Sequence, residues 1–336
     1  MTRPNMSKKW DAVTRNCEWW VGLRECKARS NPQIILNCNR RIKMKYEDGI
    51  QPYDALAYVY DEFMDTIPYT EWCEVIDKII REYGVSRPIE HDNTKGLLNE
   101  LDYADPDEIE KKEMTEEEIL ESEKNLVVDL GCGTGTLTNL MYKKGYDMIG
   151  IDSSESMLDV AQKKRDDKGY DILYLNQDMR DFDMYSTVGT VYSVCDSINY
   201  ILREEEVIRT FKLIEKFLYP GGLFMFDFNT AYKYENILGS STIAENRENC
   251  AFIWENYYDE ENRINEYDVS IFVEQDDPNM FRRYVETHYQ RGYTLGDMHI
   301  FLEQAGLKVL LVRDSDTREE PTEESQRIFI VAKKEA

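Results

Sequence analysis

One turn constrains this chain more than any other feature. The short apolar run Leu126-Val127-Val128-Asp129-Leu130 ends directly in Gly131-Cys132-Gly133-Thr134-Gly135, and a helix-forming stretch opens at Thr136-Leu137. Glycines at a strand-to-helix turn let the backbone come close to a ligand, and the helix N-terminus beyond supplies unpaired N–H groups. A glycine-rich turn alone fits NAD, FAD, S-adenosylmethionine (SAM) or no ligand. Three details tilt the choice toward SAM. The spacing is Gly-x-Gly-x-Gly, not the Gly-x-Gly-x-x-Gly of dinucleotide sites. Asp129 precedes the first glycine, where an anion repels a pyrophosphate and suits a cationic amino group. Asp152 ends the next apolar run, twenty-one residues after Gly131, where a carboxylate can accept from both ribose hydroxyls.

Beyond the turn, apolar runs alternate with helical stretches: Asp147 to Ile151, Asp171 to Leu175, Val188 to Cys195 and Leu223 to Phe228. Such alternation predicts a parallel sheet covered on both faces. After Phe228 it breaks. Residues 251–258, 263–274 and 280–293 read as consecutive strands joined by polar turns, an antiparallel meander. A helix from Leu295 to Ala305 and strands Leu307 to Val312 and Arg327 to Ala332 close the chain. Ahead of the turn, Tyr53 to Tyr83 carries apolar residues at helical spacing, with Pro68 splitting it in two. Residues 88–124 hold fourteen acidic residues and read as a surface insertion whose second half, Glu108 to Lys124, forms a solvated helix.

The stretch Val127 to Leu137 resembles motif I of the class I SAM-dependent methyltransferases. Ile149 to Leu158, Gln177 to Phe182 and Cys195 to Ile201 resemble their next three motifs, and Leu218-Tyr219-Pro220-Gly221-Gly222 is similar to their turn before strand five. The resemblance runs from Tyr53 to Lys334 outside the acidic insertion. It is nearest a bacterial small-molecule group related to the aminodeoxysugar N-methyltransferases. It implies an α/β, Rossmann-like, doubly wound seven-stranded sheet with one antiparallel strand near the C-terminus, and it makes the meander, about residues 250–293, an acceptor lid. The division that follows is a basic extension 1–45, helices 46–87 covering the cofactor, the insertion 88–124, and a SAM-binding domain 125–336. Carried over residue by residue, Asp129 and the backbone of Gly131, Cys132, Gly133 and Gly135 hold the methionine end. Asp152 holds the ribose. Ser153 and Met157 flank ribose and adenine, Asp178 accepts the adenine amino group, and Met179 lies beside the ring. Tyr60, in a Tyr-Asp pair, covers the cofactor, and Cys195 joins the cofactor set.

Methyl transfer from a sulfonium needs alignment, exclusion of water and management of one proton. Three histidines are available. His91 lies by the acidic insertion and reads as solvated; His299 sits in the late helix and reads as packing. His288 lies on the last meander strand. Alternation puts it on one face with Glu286 and Gln290, a polar stripe expected to stay out of the core and to look down on the methyl group. Related sugar N-methyltransferases place a histidine where this chain has Tyr200, and tyrosine, with an ordinary pKa of about 10, is a poor base. His288 and Tyr200 are therefore the catalytic candidates. Cys195 is not in a Pro-Cys pair, which argues against a covalent cytosine mechanism.

Net charge bears on the acceptor. Residues 1–45 carry eleven Lys and Arg against three Asp and Glu, a net +8, so the rest of a chain totalling −25 carries −33. A body this acidic repels phosphate backbones and disfavours nucleic acid. Seven scattered cysteines suggest neither disulfides nor a metal site, and no run is long enough for a membrane span. The expectation is a cytoplasmic enzyme acting on a small polar acceptor, at N rather than O, with its oligomeric state open. Two rivals stand: RNA or protein methylation guided by the basic arm, and a non-catalytic SAM-binding protein.

Overall fold

The computed structural model describes residues 56–89, 115–275, 277 and 279–335. The extension 1–45 with Trp10, Trp19 and Trp20, residues 46–55, His91 and most of the acidic segment lie outside that range.

After a 3-10 turn at Leu56–Tyr58 come α1 (Tyr60–Phe63) and α2 (Tyr69–Tyr83), with Pro68 at the N-cap of α2 dividing them as the sequence predicts. Trp72, Cys73, Ile76, Ile79 and Ile80 repeat at helical spacing and form the buried face of α2. The acidic helix, α3 (Glu116–Asn125), starts later than expected, where Thr115 and Glu118 form a capping box. Only Asn125 of α3 is buried, and the helix feeds straight into the sheet.

The sheet is built from β1 (Leu126–Leu130), α4 (Thr136–Lys143), β2 (Asp147–Asp152), α5 (Glu155–Lys168), β3 (Leu173–Asn176), β4 (Val188–Ser193), α6 (Glu204–Phe217) and β5 (Leu218–Asn229). After an insertion, α7 (Leu295–Gln304), β10 (Leu307–Asp314) and β11 (Arg327–Lys334) complete it. Strand order is β10-β11-β5-β4-β1-β2-β3. β11 pairs antiparallel with both neighbours, and the remaining pairs are parallel. This is the doubly wound seven-stranded sheet that the resemblance implied.

Two apolar layers sandwich it. Phe211 of α6 packs on Phe224 and Phe226 of β5, which stack at 4.7 Å. The opposite layer joins α2 and α4 to Val127, Tyr192 and Met225. Strands buried on both faces are apolar along their whole length, which is why β1 and β2 were readable.

The insertion after β5 is a second, antiparallel sheet of four strands: β6 (Thr242–Asn246), β7 (Cys250–Asp259), β8 (Ile264–Glu274) and β9 (Phe281–Arg291). The expected meander has three; β6 is the addition, a short edge strand of alternating exposure. The inserted sheet packs Tyr267, Val269 and Ile271 against Val59, Leu56 and Phe63. The segment from Leu56 to Phe63 and the inserted sheet are thus fastened to each other. Among the described residues no helix is long and apolar enough to cross a membrane.

Candidate active site

The site opens at the carboxyl ends of β1, β2 and β4, the ligand-binding edge of an open α/β sheet. Leu130 and Ile151 are register partners, so the two strands end side by side. The chain then turns through Gly131, Gly133 and Gly135, all left-handed. Gly131 N–H and Cys132 N–H both donate to the Ile151 carbonyl, at 2.7 and 3.0 Å. A Cβ on Gly131, at φ +82°, would lie 2.8 Å from Ser197 Oγ, so the close approach there requires glycine.

A cavity of about 830 Å³ lies over this turn, a size that suits a cofactor-sized ligand. Its wall includes Tyr60, Asp129, Gly131, Cys132, Gly133, Asp152, Ser153, Met157, Asp178, Met179, Cys195 and Tyr200. Two sequence candidates stand back from it. Gly135 is the left-handed N-cap of α4 and abuts Tyr174 and Ala161, so it shapes the turn. His288 sits behind Tyr200, its Nδ1 3.3 Å from the Tyr200 hydroxyl.

Three of the carboxylates that line the cavity are in different states. Asp129 is buried in β1 and accepts from Thr138 Oγ1 at 2.6 Å; burial pushes its pKa up to about 7 despite that bond. Asp152 accepts from Gly133 N–H at 2.8 Å and Ser154 N–H at 2.9 Å, tying the end of β2 to the glycine turn. Asp178 is held below the usual carboxylate range by Arg180, whose backbone and guanidinium N–H groups bond both oxygens.

The polar stripe on β9 departs from expectation. Glu286, His288 and Gln290 are 2–3% exposed. They escape the cost of burial by bonding to other polar groups: Gln290 donates to Asp196 at 2.8 Å and accepts from Tyr234 at 2.9 Å, and His288 Nε2 lies 3.2 Å from Glu286. His299, expected in packing, is exposed on α7. Cys195 lies beyond the end of β4 at φ 63°, on the cavity wall rather than in the strand.

Some site residues were not foreseen. Tyr69, at the start of α2, lines the cavity and shares a hydrogen bond with Tyr60; burial pushes both phenols up and keeps them protonated. Asp61 fastens α1 to the glycine turn, accepting from Thr134 Oγ1 at 2.7 Å and Thr136 Oγ1 at 3.1 Å, and pairing with Lys164 at 2.5 Å. The Tyr60-Asp61 pair was visible in the sequence, but only its tyrosine was carried into the site. Asp196, Asp227 and Arg327 form a cluster beside Tyr200's turn in which Asp227 is buried and the other two are half-buried, with Arg327 pairing to both acids. No sequence motif marked it.

Residues 127–222 match a family model described as a methyltransferase domain. A protein assigned as a methyltransferase in Geobacillus sp. (strain WCH70) is 31% identical over 282 residues, 84% of this chain and 99% of its own. A crystal structure of an S-adenosylmethionine-dependent methyltransferase from Clostridium acetobutylicum ATCC 824 superposes with a TM-score of 0.66 at 22% identity, covering 85% of this chain and 100% of its own. The sugar N-methyltransferase KedS8 from Streptoalloteichus sp. ATCC 53650 does so with a TM-score of 0.59 at 15% identity, over 88% and 97%. With 31% identity to a methyltransferase over nearly the whole of that relative, the chain belongs to the class I SAM-dependent methyltransferases.

Proposed function

We propose that this enzyme methylates an amine nitrogen of a small polar acceptor. The observation that carries the reading is the charge around Tyr200, where the cavity meets the lid. The carboxylates Asp196, Asp227 and Glu286 gather there. Against them stand Arg327, already paired with two of them, and Lys233, whose ammonium burial lowers to a pKa of about 8. Such a surrounding stabilises an ammonium acceptor and disfavours the alkoxide that O-methylation develops. The sugar N-methyltransferase that shares this fold acts on the same type of group.

The residues present fit SAM. Asp129 meets its amino group, and the close backbone approach at Gly131 leaves room for its methionine end. Asp152 accepts from the ribose hydroxyls and Met157 and Met179 flank the adenine, with Ser153 beside the ribose. Asp178 retains lone pairs for the adenine amino group beyond those that Arg180 engages. Tyr60 and Tyr69 cover the site and keep water out. When bound, SAM supplies the methyl group on a sulfonium that leaves readily. Tyr200 is the acceptor-side group, with His288 behind it.

The test is incubation with isotope-labelled SAM and matched acceptor pairs, primary amines beside their hydroxyl analogues. Methylated amine products are expected. Methyl transfer confined to the hydroxyl members would overturn the amine assignment.

A further inference from the structure

Tyr200 reaches the cavity from the turn Ser197–Tyr200. Its hydroxyl lies 2.5 Å from the Tyr267 hydroxyl and 3.3 Å from His288 Nδ1. On the far side of the imidazole, Nε2 lies 3.2 Å from Glu286 Oε2, and both side chains are 1% exposed. Glu286 Oε1 accepts from Leu56 N–H at 3.0 Å. The Tyr267 ring stacks on the imidazole at 5.0 Å, 9° from parallel.

These contacts determine where the hydrogens sit. A carboxylate only accepts, so the neutral imidazole carries its proton on Nε2 and leaves the Nδ1 lone pair toward Tyr200. Tyr200 O–H donates to that lone pair, and Tyr267 O–H donates to the Tyr200 oxygen. A tyrosine alone would need to become phenolate before accepting a proton. Backed by an imidazole, it can accept one proton while passing on another. An imidazolium buried this deeply would be costly unless paired, and Glu286 offsets that cost.

We propose that Tyr200, His288 and Glu286 form a proton relay: Tyr200 touches the acceptor, His288 holds its proton, and Glu286 is the positioning residue that keeps the imidazole in the Nε2–H form. This rests on the amine reading above. The acceptor's N–H proton passes to the Tyr200 oxygen as the Tyr200 proton passes to His288 Nδ1. The freed nitrogen lone pair forms the new C–N bond while the methyl carbon's bond to sulfur breaks. After product release the imidazolium returns its proton through Tyr200 to water. Leu56 N–H ties the relay to the segment that carries Tyr60, so the cofactor cover and the relay are assembled together.

Nitrogen NMR on full-length protein labelled at its histidine nitrogens, with S-adenosylhomocysteine bound, tests this without an acceptor. The chain has three histidines, and His288→Gln identifies the relevant signals. The wild type is expected to show His288 as Nε2–H. In Glu286→Gln the amide oxygen stays on Leu56 N–H and the NH2 turns to the imidazole, so the tautomer switches to Nδ1–H. Tyr200→Phe, which leaves Glu286 in place, is expected to keep Nε2–H. A wild-type Nδ1–H form, an unchanged tautomer in Glu286→Gln, or a switch in Tyr200→Phe would each overturn the relay. With an amine acceptor in hand, Glu286→Gln should lower kcat by roughly 10²-fold while KM and SAM affinity stay within about twofold. An unchanged kcat sinks the proposal as well. If the acceptor proves to be a hydroxyl, the amine reading fails while the tautomer result still decides the relay.

Discussion

At the end of β2, the Asp152 carboxylate accepts from Gly133 and Ser154 N–H groups and borders the cavity. Asp152→Ala should weaken SAM binding by about 1.5–3 kcal/mol, the scale of hydrogen bonds to a charged acceptor. Calorimetry measures this directly, and normal affinity in the variant would remove Asp152 from the ribose site. Asp129 responds to pH instead. Its folded-state pKa of about 7 exceeds the unfolded value of about 3.9. The unfolded chain therefore ionises first. The contribution of Asp129 to the stability of the cofactor-free protein is intact below the unfolded value and is lost as pH rises toward 7. A cationic amino group beside Asp129 reverses the preference. The melting shift on adding SAM should grow between about pH 6 and 7.5, and Asp129→Asn should flatten that growth. A shift independent of pH in the wild type would count against an Asp129 contact with the amino group.

At the scale of elements, α1 is four residues long and cannot hold its place by its own hydrogen bonds. Asp61 anchors it to Thr134, Thr136 and Lys164, and Phe63 packs edge-on against Phe252 of the inserted sheet at 4.9 Å. Asp61 and Lys164 are partly exposed, so their ion pair adds about 1 kcal/mol or less to global stability. Asp61→Ala should leave the melting temperature of the free protein nearly unchanged and weaken SAM binding several-fold, because Tyr60 loses its fixed position. Equal SAM affinity in wild type and variant would make α1 a bystander. This division also explains what the sequence disclosed. β1 was legible to its last residue because both of its faces are buried and its side chains are uniformly apolar around Asp129. β6 was not, because Thr242-Ile243-Ala244-Glu245-Asn246 is a short edge strand whose exposed side chains look like a loop. On β9 the alternation was read correctly and its environment was not. Glu286, His288 and Gln290 are polar, yet they are buried against partners from Leu56, Tyr200 and Asp196, residues that no local pattern could bring together. The cofactor side of the site follows from motifs on consecutive strands. The proposed acceptor side depends on contacts across more than eighty residues of chain, such as Tyr200 to His288.

At the scale of the whole molecule, charge separates the N-terminal arm from the machinery. The cavity wall runs from Tyr60 to Ile201, and the relay behind it draws on Leu56, Tyr267, Glu286 and His288. Residues 1–45, outside the described range, carry +8 against the −33 of the remainder. Nucleic-acid affinity in an otherwise acidic protein would have to come from that arm, and its salt dependence would report how many phosphates it neutralises. A chain beginning at Met44 keeps every described residue of the cavity and the proposed relay. It should show the same melting shift with SAM as the full chain and methylate a small amine at the same rate. Full-length and shortened chains should be compared at low salt on total RNA by electrophoretic shift. The amine reading expects no RNA-dependent methyl incorporation by either chain, even if the arm gives the longer one weak, salt-sensitive retention. Incorporation of labelled methyl into RNA by the full chain, abolished in the Met44 chain, would instead make the arm a substrate-recruiting device and replace the small acceptor with RNA. Loss of the SAM melting shift on truncation would show that residues ahead of Met44 support the cofactor site.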